Sequence, residues 1–436
     1  MKTYCFSLLL ILFSCYSRAD AQFSGYLSAG TGFNRNPLYN YAKASDQLRQ
    51  SFIDLSYESE HPLSRLDFHY IGGLVLFNSL QDRNFYEHSF SGSYNIHLAS
   101  GTAPPPVSED STEAGEDSSK DESDSVDVER ISSFSDSTDS YVGLAARISA
   151  RHDKVIFKDF NNQSGELSTS YRFPLGERSY ARLSNTFALR SYSYITELSN
   201  INDLATIEFG WWPDSSFVYG VTGSAGYKYY TSSLYDTTRF ETVHGFAQNP
   251  PGKGKPGGQQ IGGNVVKDIL VVPQANGTVQ IIGGLFLRKD WSGDASLLSA
   301  ILYRWMPRPA VRYIAQQSNT SLVTQDLYND FFSYQGPEAK VQGTATLFLN
   351  IRLAIQAGFQ YRHYSAPALT IRGTEIGKDR TDTRSSADFS LSRYFTLSGD
   401  IGFDITWTTE FLRNQSNDDY NDFSSYAVGI SLGVNF

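Results

Sequence analysis

Segments of about ten residues in which apolar and polar side chains alternate recur along nearly the whole chain, and this pattern leaves few folds open. In NFYEHSFSGSYNIHL, Tyr86, Phe90, Tyr94, Ile96 and Leu98 share one parity; Glu87, Ser89, Ser91, Ser93, Asn95 and His97 share the other. DIGFDITWTTEF sets Ile401, Phe403, Ile405, Trp407 and Phe411 against Asp404, Thr406, Thr408 and Glu410. In SSYAVGISLGVNF the apolar set is Tyr426, Val428, Ile430, Leu432, Val434 and Phe436, separated by small or polar residues. Period two places each set on one face of a strand. A strand with one greasy and one wet face fits the edge of a soluble sandwich or the wall of a membrane barrel.

The pattern predicts strands near 22–33, 48–59, 64–76, 85–98, 140–150, 165–173, 178–190, 203–212, 216–230, 277–289, 295–306, 339–349, 352–364, 385–395, 400–412 and 424–436. That is an all-β chain of about sixteen strands, with 14–18 open; the segment 295–306 is the least regular. Between the segments, the short turns EHPLS, PLGE, PDS, WSGD and TLSGD alternate with longer loops at 34–47, 231–276, 307–338 and 365–384. Strands of about ten residues, tilted and joined by short turns on one side and long loops on the other, fit a transmembrane antiparallel up-and-down β-barrel.

The N-terminal MKTYCFSLLLILFSCYSRADAQ carries Lys2, an apolar run from Phe6 to Phe13 and an Ala19-Asp20-Ala21 site. It reads as a secretory signal peptide over 1–21, leaving a barrel domain at 22–436. Lipid attachment at Cys15 is the alternative, with Phe13 a poor fit to that signal. Both cysteines, Cys5 and Cys15, lie in this leader, so no disulfide is expected in the mature chain. A run this short does not reach the roughly 20 residues of a membrane helix.

Mean hydropathy of -0.34 fits a barrel as well as a soluble protein, because lipid-facing and lumen-facing residues average out. The 14% aromatic content, with 28 Tyr and 29 Phe, suits side chains placed at a membrane interface. The net charge of -10 is concentrated in an acidic low-complexity insert at 99–139. The stretch PPPVSEDSTEAGEDSSKDESDSVDVE is almost free of large apolar side chains and is expected to be disordered. Strand counting attaches the insert on the short-turn side, where a long connection is unusual. The rest is near neutral without a basic patch, so no nucleic-acid partner is expected.

The last strand, Tyr426 to Phe436, resembles the C-terminal assembly signal of bacterial outer-membrane β-barrel proteins, an alternating strand closed by an aromatic residue. The resemblance implies an outer-membrane location, contact with outer-membrane lipid, and recognition by the barrel assembly machinery.

Chemistry-bearing motifs are sparse. His363-Tyr364-Ser365 has the H-x-S order of outer-membrane phospholipases, but Ala-Pro follows where that family has Asn-Gly. The Gly-rich stretch from Pro250 to Asn264 lacks the order of a phosphate-binding loop. No catalytic, cofactor or metal residues are expected, and the chain is not expected to be an enzyme. By parity the inward face holds Glu166, Arg172, Arg182, Glu208, Lys228, Lys340, Arg352, Arg362, Asp404 and Glu410 as lumen-lining candidates. A barrel this wide is not plugged by side chains alone. The leading expectation is a porin-like channel for passive diffusion of small polar solutes. The alternative is a structural or secretion scaffold with a closed lumen, docking a periplasmic or surface protein.

Overall fold

The computed structural model describes residues 20–37, 45–61, 63–98, 140–155, 158, 161–194, 196–214, 216–231, 235–240, 268–273, 277–291, 295–308, 331–370, 374–398, 401–419 and 421–436. The expected leader and the acidic insert lie outside the described residues. Asp20 and Ala21 are the exception; their backbones pair with Glu60 and Ser59.

The strands are β1 (Asp20–Asn34), β2 (Asp46–His61), β3 (Ser64–Phe77), β4 (Phe85–Leu98), β5 (Ser140–Asp153) and β6 (Asn162–Gly176). Next come β7 (Ser179–Tyr192), β8 (Asn200–Asp214), β9 (Phe217–Tyr230), β10 (Tyr235–Phe240), β11 (Asp268–Pro273) and β12 (Gly277–Trp291). The last are β13 (Ala295–Arg308), β14 (Gly336–Thr346), β15 (Ile351–Leu369), β16 (Glu375–Ser398), β17 (Ile401–Ser416) and β18 (Phe423–Asn435). All but β10 and β11 pair with their chain neighbours, and β1 closes on β18, giving a closed antiparallel barrel of sixteen strands. Closure removes every free strand edge, which a sheet in lipid requires.

Alternation fixes the register, because a one-residue slip would turn every side chain to the other face. On the outside stand Leu27, Ile148, Leu285, Ile301 and Leu432, all exposed. Aromatic residues ring the two ends of this apolar band. Trp211 stacks on Tyr219 and Phe395 on Phe403 near the short-turn end; Tyr227 stacks on Tyr229 near the other. Tyr426, Ile430, Leu432, Val434 and Phe436 share this outer face with Val428.

His61 and Ser64, Gly176 and Ser179, Asp214 and Phe217, and Ser398 and Ile401 join strands by short links at one end, here the turn side. The long connections, 35–45, 231–276 and 309–335, lie at the opposite, loop side. Leu98 pairs directly with Ser140, so the acidic insert leaves and rejoins the wall on the turn side. Leu98 and Ser140 share that end with the first residues of β1 and the last of β18.

Two expectations need correction. The segment 231–276, expected as one long Gly/Pro-rich loop, contains a separate two-stranded hairpin in which Tyr235 pairs with Pro273 and Phe240 with Asp268. The segment 365–384, expected as loop, is mostly strand, since β15 runs to Leu369 and β16 starts at Glu375. There the sequence EIGKDRTDTR is polar on both faces, which erases the alternation. Inward side-chain pairing supports the extension instead. Arg380 pairs with Asp382, and Asp382 also accepts hydrogen bonds from Asn414 (3.3 Å) and Ser416 (2.6 Å) on β17.

Candidate functional site: the inner wall

The inner wall divides into two unlike arcs. From β7 to β13 it is packed rather than wet. Tyr180, Val218, Phe286, Leu298 and Ala300 form a buried apolar cluster with Trp212 against it. Nearer the loop side Leu204, Ile282, Leu302 and Met306 are buried at the same inward parity. Phe332, in a short helical turn ahead of β14, is also buried. A Cβ on Gly226 would lie 2.9 Å from its ring and 2.9 Å from Leu204, so the segment 331–335 turns into the barrel and seats on β8 and β9. Only a glycine at 226 allows that approach.

The packed arc explains the irregular segment at 295–306. Ala295–Arg308 presents Leu298, Ala300, Leu302 and Met306 inward and Ile301, Tyr303 and Trp305 outward. With both faces apolar, the alternation disappears. The sequence reading, which left water, a folded-in loop or a partner to fill the lumen, did not anticipate this apolar cluster; the near-continuous apolar run of β13 was the available signal.

Six of the ten inward candidates lie in or beside this packed region. Arg172, Arg182 and Glu208 occupy one rung across β6, β7 and β8. The Tyr180 hydroxyl donates to Glu208 Oε1 at 2.7 Å, and the Arg172 guanidinium sits 4.3 Å from the Tyr180 ring centre. Lys228 is buried with its ammonium 4.9 Å from the Tyr230 ring centre. Lys340 binds Glu338 at 2.8 Å, and Arg304 binds the other carboxylate oxygen at 3.0 Å. Gln360 also donates to Glu338, while Arg362 donates to Gln360 Oε1 at 2.7 Å and lies 4.6 Å from the Tyr334 ring centre. Arg362 is fully buried. Buried ions of both signs are held here only because each meets an opposite charge, an amide or an aromatic face.

The second arc runs from β16 through β18 and β1 to β6. Its inward residues are half-buried at mid-wall and dominated by carboxylates: Asp54, Glu58, Asp67, Glu87, Asp404 and Glu410. Arg65 meets two of them, Glu58 at 3.0 Å and Asp67 at 2.9 Å. Asp404 accepts from Thr406 at 3.1 Å and from Tyr26 at 3.4 Å. Glu166 also faces inward here, receiving a hydrogen bond from Ser168 at 3.1 Å. Arg352 lies at inward parity beside the turn-side mouth and is exposed. Parity alone mixed the two signs; in the fold, buried cations gather with Glu208 and Glu338 in the packed arc, while in the accessible arc carboxylates outnumber the inward Arg65, Arg147 and Arg151.

His363 stands at outward parity on the loop side, 3.9 Å from Asp379, while Tyr364 is turned inward against Tyr334. Among the described residues no group of His, Cys, Asp and Glu has the clustering of a metal site.

These features define a class: a closed, membrane-type β-barrel with an apolar outside and a partly packed, partly acidic inside. No family model and no curated protein matches the sequence. Among solved structures, the outer membrane protein OpdK of Pseudomonas aeruginosa is 6% identical, with 95% of this chain and 99% of that one covered at a TM-score of 0.39. OccAB2 of Acinetobacter baumannii is 6% identical over 96% of this chain and 98% of its own, with a TM-score of 0.43. CdiB of Acinetobacter baumannii is 8% identical over 95% of this chain and 60% of its own, also at 0.43. Likeness at this level carries no functional argument, so the reading rests on the wall itself.

Proposed function

We propose that the protein is an outer-membrane, porin-like channel in which small polar solutes cross along the acidic arc. The observation that carries this is the contrast within one barrel. The wall from β7 to β13 is packed, with buried apolar side chains beside paired ions, whereas Asp54, Asp67, Glu87, Asp404 and Glu410 face inward and remain partly accessible. Fixed carboxylates along a narrow wet path attract counter-ions and concentrate cations. The channel therefore favours cationic or neutral polar solutes over anions. The leader at 1–21 and the alternating strand from Tyr426 to Phe436 support export and assembly into that membrane.

A closed scaffold is the second reading, favoured by the inward seating of Phe332 and Tyr334, both buried. In that case the turn-side acidic insert would dock a periplasmic partner. Single-channel recording in planar bilayers separates the two. A channel gives discrete steps whose reversal potential in a salt gradient lies toward the cation; a scaffold gives none.

A further inference from the structure

One construction occurs twice on the inner wall. In the packed arc Tyr180 lies over Gly210, where a Cβ would come within 2.0 Å of its ring. Its hydroxyl donates to Glu208, and the Arg172 guanidinium sits 4.3 Å from the ring centre. Carboxylate, aromatic face and cation all come from the chain, and Tyr180 is 1% exposed.

The accessible arc repeats the first two parts. A Cβ on Gly402 would come within 2.0 Å of the Tyr394 hydroxyl, and one on Gly433 within 2.2 Å of the Tyr26 hydroxyl. Two inward tyrosines therefore lie along the wall over glycines, and Asp404 stands between them. In the ladders it faces Tyr394 on β16 and Gly433 on β18. It accepts hydrogen bonds from the Tyr26 hydroxyl at 3.4 Å and from Thr406 at 3.1 Å.

The third part differs. Asp404 and Tyr394 have no cationic partner among the described residues; Arg352, inward on β15 and two strands away, forms no ion pair with Asp404. Tyr394 is 47% exposed although it faces inward, and Asp404 is half-buried. Covering a glycine with an aromatic ring is a packing device of sheets. Packing alone calls for neither a carboxylate between the rings nor a ring left open to the lumen.

We propose that Asp404, with the rings of Tyr394 and Tyr26, is a binding subsite for an organic ammonium ion, which takes the part that Arg172 plays beside Tyr180. Asp404 stands three residues inside the turn-side end of β17, so the ion arrives from that mouth. The carboxylate balances its charge, and the ring faces attract a weakly hydrated alkylammonium. A metal ion is served poorly here. Calcium takes about six to eight oxygen ligands, whereas this site offers one carboxylate whose hydroxyl neighbours donate to it. The inference names a substrate class for the channel reading, and rests on it in needing an acidic arc reachable from water.

The test is saturation-transfer NMR on the methyl protons of tetramethylammonium, with full-length protein folded in maltoside micelles, which carry no ammonium group. Heat-modifiable migration first certifies each variant as a folded barrel. Wild type is expected to bind the probe, and sodium chloride to displace it only at about tenfold higher concentration. Asp404→Asn and Tyr394→Leu should each weaken binding about tenfold, while Tyr394→Phe, which keeps the ring, should bind as wild type does. Displacement by equimolar sodium, or unchanged binding in Tyr394→Leu, would overturn the proposal. Should Tyr394→Leu not fold, Asp404→Asn decides alone, and unchanged binding there has the same force. Single-channel recording separates the two readings. Probe binding to a barrel that never conducts would keep the subsite and remove the channel; a conducting barrel that binds no probe would do the reverse.

Discussion

Gly25 and Phe436 exchange both backbone hydrogen bonds, Gly25 N–H to the Phe436 carbonyl at 2.8 Å and Phe436 N–H to the Gly25 carbonyl at 2.9 Å. The pair extends the β1–β18 seam by one rung beyond Tyr26 and Asn435, and the aromatic ring lies over the glycine, where a Cβ would come within 2.5 Å of it. Closing the seam completes the barrel, so both partners are expected to be needed. Phe436→Asp removes the ring and puts a carboxylate on the lipid face, while Gly25→Val drives a branched side chain into the ring. Each should lower the yield of heat-modifiable folded barrel in membranes. A normal folded band for both would refute this account of the seam.

The acidic insert is expected to be dispensable for folding. Leu98 and Ser140 already face each other across the β4–β5 ladder, so nine residues at 99–107 suffice to join them once 108–139 are deleted. Lengthening or shortening a surface connection changes stability only weakly, by about 0.6 kcal/mol per doubling. The deleted protein should show the same unfolding temperature within a few degrees. A large drop would mean that the insert packs on the barrel.

Glu338 is expected to be the most sensitive position of the inner wall. Its carboxylate meets Arg304 and Lys340 at 3.0 and 2.8 Å and is 1% exposed. Glu338→Gln leaves two buried cations facing a neutral amide. Removing one partner of a buried ion pair costs about 3–5 kcal/mol. Urea-gradient unfolding in detergent should show the loss, and Glu338→Asp should restore part of it.

Much of this architecture was legible because a barrel wall writes itself in period two. All sixteen wall strands fall where alternation placed them, and β4 matches to the residue. What escaped had no alternation to read. For β13, placed as a strand at 295–306, it was the packing of the inner side that escaped, since both its faces are apolar; the start of β16 is polar on both faces because Arg380 and Asp382 pair inward above the apolar band. Strands β10 and β11 stand on either side of the Gly- and Pro-rich stretch from Pro250 to Asn264, which draws attention away from the short ILVV run after it. Inward parity was also readable for Asp404 and Glu410, but their separation from Arg304, Lys340 and Arg362 was not. Parity gives the face of a strand; only the closed ring brings the carboxylates of β17 beside those of β2 and β3.

The reading of the acidic arc is tested by combining accessibility with selectivity. Thr406 and Thr408 face inward on β17 beside Asp404 and Glu410, whereas Ile405 and Trp407 are exposed on the outer face. With no native cysteine expected in the mature chain, single cysteines report cleanly. In lipid vesicles, Thr406→Cys and Thr408→Cys should react with a membrane-impermeant thiol reagent; Ile405→Cys and Trp407→Cys should not. Cysteine at Arg352 should also react, since that residue is exposed at the turn-side mouth, but cysteine at Arg362 should resist because the site is fully buried beside Tyr334. Charge then decides the direction of selectivity. Asp404→Asn together with Glu410→Gln removes two carboxylates from the accessible arc and should move the reversal potential toward zero in a salt gradient. Because both sites are only half-buried, folding should be nearly unchanged. An unaltered reversal potential in a conducting barrel would place the ion path elsewhere. Labelling at 406 and 408 with no conductance in any variant would mean a wet but occluded lumen, and the scaffold reading would replace the channel.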